Sequence, residues 1–409
     1  MMRLSSDNSF HFELLRLLSQ APYHGADVGE LLTAAAKIEA GNPESYYSVM
    51  FALAERVYAQ AKAIDSAKHP VSARDAFFRA ATYYRAVDFY LHGNPADPRI
   101  NDSWDRADAA FRRAVALLPI PAEHLVLRAD KSATGSLPQG FDIPCTYFRA
   151  TAETSPPRPT LIIHTGFDGS VDEMLHMFGF AALDRGCHVL LFEGPGQASP
   201  RRHQGLGYIP DWERVVTPVV DHVLTRPEVD SRRIGLIGAS MGGYLAVRAA
   251  AYEPRLAATV ADDGVYDNFH IFKRMFVKAT GLEFDTDDAV LAAAMERLIR
   301  EGRAPTDAKW AFEQGLWSFA VADGAALLEK LKAFTLRGIE EKVRGPVWVG
   351  CAQADQFFQG QPEQVRDTLG DRCHFESLGS EDAAENHCHF GATVLANQRI
   401  FDWFDEVTR

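Results

Sequence analysis

Residues 238–243 read GASMGG, and they follow the short apolar run RIGLI and precede an Ala-rich helical pattern, YLAVRAAA. A serine held at such a strand-to-helix junction has one obvious chemical use, nucleophilic attack. The turn must be tight, so small residues are needed beside the serine; Gly238 and Gly242 supply them, with Gly243 expected to begin the helix. A bare GxSxG arises by chance about once in ten chains of this length, so the strand before and the helix after carry its specificity. Ser240 is therefore the candidate nucleophile.

An unactivated hydroxyl attacks poorly and needs a base that is itself oriented by an acid, here expected in the order Ser, Asp, His. The strand-like PVWVGC ends in a small-residue loop bearing Asp355. Farther on, the strand-like CHFESL runs into ENHCHFGA, which carries His387 and His389. His387 is favoured as the base because it comes first after the turn-forming AEN, leaving His389 within or against the final helix. A metal site on this pair with Cys388 would need a matching ligand cluster, and the sequence offers none, so no metal and no organic cofactor is expected.

The oxyanion produced by attack needs two amides. Met241 supplies one by position, and the loop HTGFDGS after TLIIHT supplies the other from Phe167 or Asp168. The Asp168 carboxylate is also a candidate substrate contact. So is Glu193, in FEGPGQ at the end of HVLLF, although a carboxylate there serves equally well to cap its own turn. GPGQ lacks both the GxGxxG pattern and a Walker lysine, which excludes a nucleotide loop.

Two stretches of different character must position these residues. Up to about residue 120 the chain shows apolar residues at spacings of three and four in five segments, from NSFHFELLRLLSQ to SWDRADAAFRRAVALL, which predicts a helical N-terminal or cap domain over 1–120. From 121 to 409, compact apolar runs (TLIIHT, HVLLF, IGLIG, ATVAD, PVWVGC) alternate with helical patterns, which predicts a mostly parallel, doubly wound α/β sheet. Helical character between 268 and 335 is expected to be a lid inserted over the site. Tyr84, Phe89, Tyr266 and Trp310 are candidate lid contacts. The aromatic density of FFRAATYYRAVDFYL fits core packing, a substrate pocket or a homodimer interface over residues 75–92.

Bulk composition narrows the partners. The chain has 409 residues, 42 Lys plus Arg against 55 Asp plus Glu, and a net charge of −13. That balance disfavours nucleic acid and anionic membranes. The N-terminus lacks a secretory h-region and no run of about 18 uncharged apolar residues occurs, so a soluble, cytoplasmic protein acting on a small molecule is expected. Five scattered cysteines without a CxxC pair point to reduced thiols.

The series FEGPGQ, QGLGYIPDWERVVTPVVDHV, GASMGG, ADDGVYD, Asp355 and ENHCHFGA resembles the serine α/β-hydrolases related to 2,6-dihydroxypseudooxynicotine hydrolase and the fermentation-respiration switch protein, and more narrowly their fungal branch in pigment biosynthesis. The resemblance spans nearly the whole chain and is weakest before residue 70 and over 285–335. It implies an α/β-hydrolase fold with Ser240 as nucleophile, His387 as base and acid, and Asp355 as orienting acid. It also implies cleavage of a carbon–carbon bond next to a carbonyl in a polyketide-like aromatic, through an acyl-enzyme. An esterase, lactonase or acyl-transferring cyclase would use the same residues, and a non-catalytic binding role would need none of them. HTGFDGS departs from the HGG loops of many esterases, which leaves the second oxyanion amide open.

Overall fold

The computed structural model describes residues 3–409. Five helices come first: α1 (Asn8–Leu18), α2 (Val28–Ala35), α3 (Pro43–Ala63), α4 (Pro70–Val87) and α5 (Arg99–Val115). Their starts follow local chemistry. Asp7, Asp27 and Asn42 each cap a helix by accepting amide N–H bonds from its first turn, and Pro43 and Pro70 occupy first-turn positions where no donor is lost.

Eight strands follow: β1 (Glu123–Ala129), β2 (Phe141–Phe148), β3 (Arg158–His164), β4 (His188–Phe192), β5 (Val229–Ala239), β6 (Ala258–Asp262), β7 (Val347–Ala352) and β8 (Cys373–Leu378). They form one sheet in the order β1-β2-β4-β3-β5-β6-β7-β8, antiparallel at β1/β2 and β2/β4 and parallel elsewhere. Every residue of β4, β6 and β7 is buried, as expected for strands covered on both faces, whereas edge strand β1 alternates half-buried and exposed positions. This is the α/β-hydrolase architecture. The parallel strands all end at one edge, and the loops there carry the site.

The segment between β6 and β7 contains four helices, Asn268–Thr280, Asp288–Arg300, Thr306–Phe319 and Gly324–Leu331. The third packs against α1, so the insertion and the N-terminal helices meet over the sheet edge. The aromatic density of residues 75–92 has an internal explanation. Phe77, Phe78, Tyr83, Tyr84, Phe89 and Tyr90 are all buried within the chain, which removes the ground for placing a homodimer interface there.

Candidate active site

Ser240 lies between β5 and the helix Met241–Ala250, with φ 61° and ψ −131°. The helix thus opens at Met241, two residues before the expected Gly243. A non-glycine residue holds positive φ only under constraint. Here the Ser240 amide is tied to the Asp262 carbonyl at 2.8 Å, and the backbone crowds so closely that a Cβ on Gly242 would stand 2.8 Å from the Thr165 carbonyl oxygen. A Cβ on Gly238 would collide with the Gly242 carbonyl. The glycines are steric necessities of the turn.

His387 Nε2 is 2.9 Å from Ser240 Oγ, and its Nδ1 is 2.7 Å from Asp355 Oδ2. Asp355 is fixed in turn, its Oδ1 accepting the amides of Phe357 (2.6 Å) and Phe358 (3.1 Å). The rings of Phe357 and Phe358 stand edge-on to His387, with centroids at 5.0 and 4.8 Å, and Phe12 of α1 lies at 6.0 Å. Burial by itself would depress the imidazole pKa. The charge of Asp355, together with hydrogen bonding to Asp263 and Asp355, outweighs it and holds His387 well above 6.5. Asp355 is likewise buried, yet the adjacent His387 and two amide donors keep its carboxyl below the usual range.

His389 takes a different place. Its Nδ1 is 2.7 Å from Asp262 Oδ1 and its ring lies against Trp348, away from Ser240. Sequence reasoning missed the doubled acid at the end of β6. Asp263, fully buried and at φ 61°, places Oδ2 3.0 Å from His387 Nδ1, so two carboxylates face one imidazole nitrogen. Burial and the nearby charge of Asp355 push the Asp263 carboxyl up. The available signal was the pair of acids in ATVADD, at the carboxyl edge of the strand beside the one that leads into Ser240. The same acids correct the expectation that no ligand cluster accompanies HCH, since Asp262 and Asp263 stand within reach of His387, Cys388 and His389. Three of their four oxygens accept N–H donors, Asp263 taking the amides of Cys388 and Ala352 and Asp262 Oδ1 taking His389, while Asp262 Oδ2 is buried without a partner among the described residues.

Met241 begins its helix, so its amide has no partner within it, and the Phe167 amide donates to no acceptor among the described residues. The two loops are in contact, because a Cβ on Gly166 would lie 2.9 Å from the Met241 nitrogen. Phe167 is also held from behind, its carbonyl accepting from Gln314 at 3.1 Å.

The cavity above Ser240 is lined mostly by apolar side chains, among them Phe12, Met177, Ile271, Phe272, Trp310 and Phe390. Such a lining suits an apolar, aromatic small molecule. Trp310 is the one of the four proposed lid contacts that lines it. Phe89 stacks behind Trp310 at 4.9 Å, Tyr84 is buried among the N-terminal helices, and Tyr266 bonds Glu340. The polar end is formed by Arg16 of α1, which sequence reasoning also missed, with Asp168 and Glu173. Arg16 Nη1 lies 2.5 Å from Asp168, and Nη2 lies 2.6 Å from Glu173. Asp168 thus faces the cavity while engaged to a guanidinium. Glu193 corrects the expectation of a substrate contact: it is buried outside the cavity and accepts the amides of Val171 (3.0 Å) and Ser199 (2.8 Å). It caps two turns, and burial pushes its pKa up to about 7.

The Alpha/beta hydrolase family matches residues 160–391, from β3 through the histidine loop. The chain belongs to that family. Among its relatives are Hydrolase LUC6 of a Fusarium species, 32% identical over 97% of this chain and 96% of that one, and 20-hydroxy-prefusarin hydrolase FUS2 of Gibberella moniliformis, 32% identical over 99% of this chain and 98% of that one. Among solved structures, 2,6-dihydroxy-pseudo-oxynicotine hydrolase superposes with a TM-score of 0.73 over 96% of this chain and 95% of that one, at 19% identity. That likeness covers the N-terminal helices as well as the sheet. No helix of the described residues is long and apolar enough to cross a membrane.

Proposed function

We propose that this alpha/beta hydrolase cleaves a carbon–carbon bond next to a carbonyl in a polyketide-like aromatic, using Ser240 as nucleophile. The observation that carries the reading is the hydrogen-bonded run Asp355–His387–Ser240 at the base of an apolar cavity. His387 takes the serine proton as Oγ attacks the carbonyl, and the Met241 and Phe167 amides receive the oxyanion. One such donor is worth about 10²–10³ in rate. The tetrahedral adduct collapses by expelling carbon as an enolate or phenolate, which His387 protonates. Water, activated by the same imidazole, then hydrolyses the acyl-enzyme and frees Ser240.

Similarity to fungal hydrolases along the entire chain, one of them a 20-hydroxy-prefusarin hydrolase, supports a secondary-metabolite substrate. The test is mass spectrometry of the protein and its Ser240→Ala variant with an aryl acetate and an acetoacetyl-substituted naphthopyrone. Release of acetoacetate by the unsubstituted protein alone is the expected result, with Ser240→Ala slower by about 10⁵-fold or more. Cleavage of the aryl acetate only would replace the carbon–carbon reaction by ester hydrolysis.

A further inference from the structure

A second, smaller cavity adjoins the catalytic one, with Phe167 and Asp168 as walls common to both. It is closed by Phe89 and His92 just beyond α4, Trp104 of α5, Arg202, and Trp317 of the lid insertion. Its charges are settled among themselves. Arg85 is bonded to Glu13 at 2.8 Å and Glu173 at 2.9 Å, Asp168 is held by Arg16, and Arg202 reaches Asp88 at 2.5 Å while lying over the rings of Trp104 and Trp317.

Two side chains there have unmet capacity. His92 is 8% exposed and stacks on Trp317 at 4.2 Å, yet its Nδ1 has no partner among the described residues. Its Nε2 comes only within 3.5 Å of an Asp88 oxygen that already receives Arg202. The Nε–H of Arg202 is also without an acceptor there. Burial holds the imidazole below its ordinary pKa, so at neutral pH it presents one donor and one acceptor. Buried polar groups normally find partners. A carboxylate or ammonium would bring an uncompensated charge into a cavity whose lining already sets two guanidiniums, Arg85 and Arg202, against two carboxylates, Asp88 and Asp168. A hydroxyl both donates and accepts, which matches a neutral imidazole, and it is small enough for the space beside His92, the ring that bears it remaining on the catalytic side.

We propose that this second cavity is a subsite that binds a phenolic or alcoholic hydroxyl of the substrate through His92, with Arg202 Nε–H as a further donor to its oxygen. Its place beside the catalytic cavity rests on the reading of Ser240 as the nucleophile, since the reacting carbonyl must lie at that end. That reading is tested separately: phenylmethylsulfonyl fluoride should add one covalent adduct to the protein and none to Ser240→Ala.

Calorimetric titration of the fluoride-treated protein with 2-naphthol and with 2-methoxynaphthalene then tests the subsite, whether or not an adduct forms. The naphthol should bind about tenfold more tightly, the worth of one good hydrogen bond. His92→Phe, which keeps the stack on Trp317, should erase the preference, and His92→Gln, which keeps a donor and an acceptor, should retain it. Equal binding of the two ligands, no binding, or a preference that survives His92→Phe would overturn the proposal. A crystal structure of the unsubstituted protein with 2-naphthol depends on no variant folding. It should show the hydroxyl within hydrogen-bond reach of His92; a naphthol seated elsewhere would also overturn the subsite.

Discussion

At the scale of the residue, the notable group is the imidazole of His387, which faces two carboxylates where a triad needs one. Its hydrogen bond goes to Asp355, but Asp263 lies only 0.3 Å farther from the same nitrogen, 3.0 against 2.7 Å. In a triad with a single acid, replacing that acid by Asn lowers kcat by about 10⁴-fold, largely by allowing the wrong tautomer. Here Asp263 remains to hold Nδ1–H, so Asp355→Asn should lose less, and Asp355→Asn combined with Asp263→Asn should restore the full loss. The pH profile gives a second readout. The base must be neutral to act, so kcat/KM falls as pH drops through the imidazole pKa, which the two carboxylates hold above 6.5. Removing one negative charge in Asp263→Asn lowers that pKa, and the acid limb of the profile should move to lower pH. An unmoved limb would mean that Asp263 is structural only. Asp355 and His387 were legible because each follows its own strand in an order the chemistry requires. Asp263 was not, because a carboxylate after β6 reaches a histidine 124 positions away, after β8, only once β6, β7 and β8 lie side by side.

At the scale of the element, α1 does more than its amphipathic pattern announces. Glu13 and Arg16, three residues apart on its buried face, join Arg85 of α4 with Glu173 and Asp168 of the catalytic part in one cluster, and that cluster forms the polar end of the cavity. Three carboxylates face two guanidiniums, so one acid is in excess. Burial, with the charges of Glu173 and Asp168, outweighs the two arginines and pushes Glu13 up to about 7, whereas Glu173, equally buried, is pulled down to about 2 because both arginines hold it. The signs differ accordingly. Glu13, raised from 4.5, contributes stability that is complete below pH 4.5 and is lost as pH rises through about 7; Glu173 contributes stability that is present above pH 4.5 and lost as pH falls through about 2. Glu13→Gln, which copies the protonated form, should therefore flatten the decline in melting temperature between about pH 5 and 8. An unchanged slope in thermal melts across that range would count against the excess-acid account. Sequence periodicity identified α1 as a helix but not its partners, since a charge on an apolar face looks the same whether it meets water or an arginine from another element.

At the scale of the whole molecule, strands β3 to β8 and the five N-terminal helices were readable because compact apolar runs and three- and four-residue spacings act locally. The closure of the site was not, because its walls come from distant stretches: Phe12 and Arg16 near the start, Phe167 and Asp168 after β3, Phe272 and Trp310 in the insertion, and Phe357 and Phe390 near the end. The division at residue 120 consequently marks a change of secondary structure across which the site itself is built. A chain of residues 121–409 would lose the wall formed by Phe12 and would keep Glu173 and Asp168 with neither Arg16 nor Arg85 to compensate them. Breaking a buried ion network in this way costs about 3–5 kcal/mol for each partner removed, a large share of the stability of a typical domain. We expect that truncated chain to be insoluble or inactive toward an aryl acetate, and residues 1–120 supplied as a separate chain during expression to recover soluble, active protein. A truncated chain that is soluble and as active as the full-length protein would show that the sheet and its loops hold the cavity without the N-terminal helices.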